Sequence, residues 1–149
     1  IFVTNEFDYK ILEYSLYSIK SYKDDTQNVS QYRWTTYFLC AKPNNELICF
    51  LKDLFNEYYK DNDFVIDYFM MDYFIDIAYN EIDYIKAMID NIPNNNTQSE
   101  KLVKFLNFNF NKETYDKIIR DTYIHKLSYK IKLLSDEDTF YNKVIKKLK

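Results

Sequence analysis

Three carboxylates set among aromatic side chains are the first residues with the means to do chemistry. The run Ile66-Asp67-Tyr68-Phe69-Met70-Met71-Asp72-Tyr73-Phe74-Ile75-Asp76 is the densest such feature of the chain. At about 100° per residue, Tyr68, Asp72 and Asp76 share one helical face, and Asp67 lies about 140° from Asp72. An acid held among aromatics can accept from sugar hydroxyls, with a tyrosine beside it as a stacking or hydrogen-bonding platform. The same spacing also suits a core helix that buries Phe and Met while its acids cap or face water. Spacing alone leaves both readings open.

The second candidate is the only histidine, in Tyr123-Ile124-His125-Lys126-Leu127-Ser128-Tyr129-Lys130. A lone histidine is commonly a hydrogen-bonded structural residue. With Lys126 and Lys130 nearby, it also suits a divalent metal and a diphosphate, since negative oxygen needs positive groups opposite it. That role requires a loop, and Lys126-Leu127-Ser128 breaks the amphipathic pattern there. Arg33 can reach an anion, while Trp34, the only tryptophan, is expected in the core.

These residues must be positioned by two kinds of element. Ile1-Phe2-Val3-Thr4 is a short β-prone run, and Ser15-Leu16-Tyr17-Ser18-Ile19 alternates with the period of a half-buried strand. Trp34-Thr35-Thr36-Tyr37-Phe38-Leu39-Cys40-Ala41 reads as a buried strand ended by Pro43. From Glu46 the period changes to 3.6, with Leu47, Phe50, Leu51, Leu54, Phe55 and Tyr58 on one face and Asn44 or Asn45 as cap. Further helices are expected over about 63–79 and 81–89, from Thr97-Gln98-Ser99-Glu100 through Leu106, and after Asn111. A last one is expected from Ser135, with acids in its first turn and Lys146, Lys147 and Lys149 in its last. The pattern predicts an α/β to α+β chain, a few N-terminal strands followed by a mostly helical remainder.

Composition narrows the function. There are 149 residues and no glycine, where about 7% is usual. P-loops, dinucleotide fingerprints and nucleophile elbows all require glycine and are excluded. The aromatic fraction of 19% excludes intrinsic disorder. Twenty basic and 23 acidic residues give a net charge of −3, without the basic field that nucleic acid demands. Cys40, Cys49 and His125 cannot complete a four-ligand zinc site without carboxylates. The two cysteines suit buried free thiols and a reducing, cytoplasmic setting. Phe64 to Ala78 is interrupted by three aspartates and does not span a bilayer. No signal peptide is read at Ile1-Phe2-Val3-Thr4.

Taken in order, several segments resemble the bacterial capsular polysaccharide synthesis glycosyltransferases. They are Ile1-Phe2-Val3-Thr4, Arg33-Trp34-Thr35, the helix from Phe50 to Lys60, the run from Asp67 to Phe74, and Ile124 to Lys130. The resemblance covers roughly 1–132. It implies a GT-A-like enzyme, of which 1–149 is a single domain and the C-terminal, acceptor-side part. The nucleotide-binding half, with its Asp-X-Asp metal motif and glycine-bearing loops, is absent, so the chain alone is expected to be inactive. Tyr59 stands where the family is expected to have tryptophan.

By that resemblance Asp67 and Asp72 are the catalytic candidates, orienting hydroxyls. Arg33, Trp34, Tyr68, Lys126 and Lys130 bind substrate, with Lys126 or Lys130 neutralising the departing diphosphate, and His125 completes a manganese or magnesium site. The implied partners are a nucleotide-sugar donor and a glycan or lipid-linked glycan acceptor, at the inner face of the membrane. Self-association through an uncovered apolar face is expected. A non-catalytic helical interaction module is the alternative, and a membrane-surface helix carrying Lys143, Lys146, Lys147 and Lys149 is a third reading.

Overall fold

A computed structural model describes residues 1–4, 9–21, 23 and 27–146. Its contacts divide the chain into two compact units. One comprises Asp8–Asn94, and the other joins Ile1–Phe7 to Asn95–Lys149. A few short strands and a mostly helical remainder make up the fold, as the change of period predicts. Among the described residues no helix is long and apolar enough to cross a membrane.

The larger unit pairs β2 (Leu16–Ser18) with β3 (Leu39–Ala41), antiparallel, with Tyr17 opposite Cys40. Three helices follow: α1 (Glu46–Asp61), α2 (Met70–Glu81) and α3 (Asp83–Asp90). Asn45 caps α1 as predicted, its side-chain oxygen accepting from the amides of Leu47 and Ile48 at 3.1 and 3.3 Å. Its amide nitrogen meanwhile donates to the Ser15 carbonyl at 3.1 Å, tying the helix start to the sheet. α2 packs against both α1 and α3. Leu47, Leu51, Phe74, Ile75, Ile85 and Ile89 are buried where these faces meet. Full burial of such a side chain is worth about 1.5–3 kcal/mol, so this cluster is the unit's main stabilising term.

Two boundaries differ from the sequence pattern. α2 starts at Met70, not near Asp63, and residues 62–69 are irregular. There Asp67 accepts from the Phe69 amide at 2.6 Å, and this local bond competes with helix continuation. The expected strand over 34–41 shortens to Leu39–Ala41. Residues 34–38 instead turn around the Ser18 hydroxyl, which accepts from the Thr35 amide and has its one proton within reach of the Thr35 and Phe38 carbonyls at 3.2 and 3.0 Å. Trp34 is nevertheless fully buried, as expected of it.

In the other unit β1 (Phe2–Val3) pairs antiparallel with β4 (Ile124–His125), Phe2 opposite His125. α4 (Lys112–Ile119) is capped by Asn111, which accepts from the Thr114 amide at 2.8 Å. The helix expected after Thr97 is reduced to a 3-10 turn, Leu102–Phe105. The final helix begins later than Ser135, as a π-helical turn over Tyr141–Ile145. Lys143 pairs there with Asp138 at 2.9 Å; Lys147 to Lys149 lie outside the described residues. Leu102, Ile118, Phe140 and Val144 form the unit's core. Cys40 and Cys49 are free and only half-buried.

Candidate functional site

The larger unit carries a polar array centred on Arg33. The loop before it is held by its own side chains. Asn28 Oδ1 accepts from the Ser30 amide and hydroxyl at 3.1 and 2.9 Å, and Ser30 Oγ accepts from the Tyr32 amide at 3.2 Å. Gln31 and Tyr32 take left-handed backbone angles, φ 47° and 58°. Non-glycine residues there carry strain, retained where surrounding bonds over-determine the conformation.

The result aims Arg33 inward. Its Nε donates to the Ser30 carbonyl at 3.0 Å, and one Nη donates to the Val29 carbonyl at 3.0 Å and to Asp76 Oδ1 at 2.9 Å. The guanidinium lies 4.1 Å from the Tyr79 ring centroid and 4.8 Å from that of Trp34. A planar, weakly hydrated cation suits this position against two neighbouring rings better than an ammonium would.

Asp72 and Asp76, one turn apart on α2, both face this array. Trp34 Nε1 donates to Asp72 Oδ1 at 3.0 Å and Thr36 Oγ1 to Asp72 Oδ2 at 3.3 Å. Asp72 thus orients a buried indole. Asp67 lies outside α2, exposed, and accepts from the Tyr73 hydroxyl at 2.7 Å as well as from the Phe69 amide. That bond raises the Tyr73 phenol above its ordinary pKa. Tyr68, 89% exposed, stands edge-on to Phe69 and is free to stack on a ligand.

Beside Arg33 a depression of about 470 Å³ is lined by Lys20, Gln31, Arg33, Tyr79, Asp90, Ile92 and Asn94. Buried Lys20 donates to the Ile89 and Asp90 carbonyls at 3.2 and 3.1 Å, at the negative end of α3. Burial lowers its pKa and Arg33 adds to this, with Asp90 opposing. The Tyr79 hydroxyl donates to Asp90 Oδ1 at 3.0 Å, and its phenol pKa is raised, mainly by burial. Sequence reasoning missed Lys20, Gln31, Tyr79, Asp90 and Asn94 as site residues. Their only common signal is polarity at the ends of elements.

His125, Lys126 and Lys130 belong to the other unit. His125 sits at the end of β4, not on a loop, and is fully buried. Its Nε2 lies 3.4 Å from Thr4 Oγ1, and Nδ1 has no well-formed hydrogen bond among the described residues. Burial pushes its pKa down from 6.5 to about 4, partly opposed by the Thr122 backbone. Lys126 pairs with Glu100 at 3.3 Å, and Lys130 is exposed.

Among the described residues no three His, Cys, Asp or Glu side chains converge in a way that can hold a metal ion. The neutral ring of His125, packed beside Phe2, has no such group of ligands around it. Among the described residues His125 can therefore supply at most one ligand to a divalent ion.

No curated protein and no solved structure matches the chain. A sequence model of one family, described as capsular polysaccharide synthesis protein, matches residues 1–144. That span takes in both units, from the β1–β4 pair to the final π-helical turn, and so the chain belongs to the capsular polysaccharide synthesis family.

Proposed function

We propose that the chain is the acceptor-side portion of a GT-A-like glycosyltransferase that moves a sugar from a nucleotide-sugar donor to a growing capsular or surface glycan. One observation carries this reading. Two segments on which the resemblance rests, Arg33-Trp34 and the run from Asp67 to Phe74, are bonded to each other through Trp34–Asp72, and Arg33 pairs with Asp76 two residues beyond that run. A hydrogen-bonded array of acids, aromatics and a cation is the kind of surface that orients hydroxyl groups.

In this reading Asp72 acts through Trp34, while Asp67 and Tyr68 offer an exposed carboxylate and ring to the acceptor. Of these two lysines, Lys130 makes no ion pair among the described residues and is the one to meet a leaving diphosphate, since Lys126 shares its charge with Glu100. A fixed cation stabilises the charge that builds on the leaving oxygen as the sugar–phosphate bond breaks. The divalent ion and the carboxylates that hold it belong, in this reading, to the nucleotide-binding half. In this reading the reaction takes place at the cytoplasmic face of the membrane.

The test is nucleoside diphosphate release by the natural protein carrying these residues, across a panel of sugar nucleotides with manganese. Acceptor-dependent release from one donor, reduced severalfold by Lys130→Ala, is expected. No release from any donor, with capsule unchanged when the gene is deleted, overturns the reading.

The interaction-module reading has one observation in its favour. Phe64, Val65, Ile66, Tyr68 and Phe69 are consecutive large side chains, but for Asp67, and all are exposed. Its signature is capture of a protein partner that survives loss of every transfer activity.

A further inference from the structure

The depression beside Lys20 holds hydrogen-bonding capacity that the fold does not use. Among the described residues the side-chain amides of Gln31 and Asn94 make no hydrogen bond. Asp90 accepts from Tyr79 through Oδ1 and leaves Oδ2 open, and Lys20 directs its bonds to two carbonyls with three protons to give. Four groups thus converge on one cavity, two amides able to donate and accept, one acceptor and one donor.

The charge balance says what they would take. Arg33 is paired with Asp76 and gives Nε and one Nη to two carbonyls, so its charge is already compensated within the fold. Lys20 and Asp90 cancel. A phosphate entering here would meet the open carboxylate oxygen of Asp90, and the single ammonium is already shared with the end of α3. A neutral hydroxyl, by contrast, donates and accepts at once, and adjacent hydroxyls match this alternation. The apolar part of the lining is small, the buried Ile92 and the uncovered part of the Tyr79 ring beside Arg33, which leaves recognition to the polar groups. About 470 Å³ lies within the range of roughly 300–1,000 Å³ typical of small-molecule sites.

We infer that this cavity is a binding subsite for one neutral sugar residue, held by Gln31, Asn94, Asp90 and Lys20. That the sugar is part of the acceptor glycan rests on the glycosyltransferase reading; the subsite itself rests on the geometry alone.

The test is amide-resolved NMR of the full 149-residue chain titrated with the methyl glycosides of glucose, galactose, mannose, rhamnose and N-acetylglucosamine, and separately with inorganic phosphate at matched ionic strength. Saturable shifts of the Gln31 and Asn94 side-chain amides by at least one glycoside, and none by phosphate, are expected. Asn94→Ala should weaken that affinity by about fivefold, the equivalent of one neutral hydrogen bond, with the remaining spectrum unchanged. Asn94 is exposed and supports no internal bond, so the variant is expected to fold. Equal or larger shifts with phosphate would make this an anion site and overturn the inference. So would silence of these amides toward every glycoside. Glycoside shifts confined to other residues would remove the subsite but leave the transferase reading standing. Binding here without donor turnover would do the reverse.

Discussion

Trp34 and Asp72, 38 residues apart in sequence, are joined by an indole N–H to carboxylate bond of 3.0 Å. The indole is buried, and its single donor has no other acceptor among the described residues. The carboxylate is therefore a structural partner first, whatever it later does for a substrate. Replacing Asp72 with Ala should destabilise the chain by about 1–3 kcal/mol, the cost of leaving a buried donor unpaired. Asp72→Asn, which keeps an acceptor oxygen, should cost less than half of that. Urea unfolding followed by Trp34 fluorescence reads both, and equal losses would contradict the bond's role.

Arg33 is expected to resist even a conservative change. A lysine cannot lie flat against both Trp34 and Tyr79 and also serve Val29, Ser30 and Asp76. Arg33→Lys should lower stability by about 1–3 kcal/mol, with loss of near-ultraviolet dichroism from the Trp34 environment. An unchanged spectrum would show that the two rings do not need the guanidinium.

His125 should make stability depend on pH. The folded ring binds its proton only near pH 4, the unfolded ring near 6.5. Between these values the unfolded chain holds more protons, so stability falls as pH drops through this window and the loss is complete below about 4. The full effect is on the order of 3 kcal/mol. His125→Gln should flatten this part of the profile in urea midpoints measured from pH 7 to 4.5. A wild-type profile as flat as the variant's would mean that the ring is not held neutral by burial.

Phe64, Val65 and Ile66 project from the irregular segment between α1 and α2, each more than half exposed. Changing all three to Ser should reduce hydrophobic dye binding and any concentration-dependent sedimentation. Stability should move by no more than about 0.5 kcal/mol, as for surface positions generally. A large stability loss would show that they are covered within the fold.

Much of this fold was legible because its signals are local. The cap at Asn45, the apolar face of α1, the cap at Asn111 and the burial of Trp34 follow from residue type and spacing. The misplaced boundaries have a common cause. At 62–69 the Asp67 side chain satisfies the backbone that a helix would have used, and at 34–38 the Ser18 hydroxyl does the same from another strand. Neither bond has a periodicity. Helical geometry did align Asp72 with Asp76, but not Tyr68, which precedes α2. The Lys20 cavity was illegible for a stronger reason, since its lining comes from positions 20, 31, 79, 90 and 94, with nothing in their spacing to link them.

The four left-handed corners among the described residues are Gln31, Tyr32, Asn44 and Asn96, in a chain without a single glycine. A glycine corner is mute, because it bends the backbone and presents nothing. Here each bend also carries a side chain. Asn96 uses its own to accept from the amides of Tyr123 and Ile124 at 2.8 and 2.9 Å, fastening the approach to β4, and Gln31 lines the cavity. Steering and recognition are thus written in the same letters. A mutation at position 31 or 96 cannot retune one without disturbing the other, so these corners should drift slowly as the surfaces between them diversify.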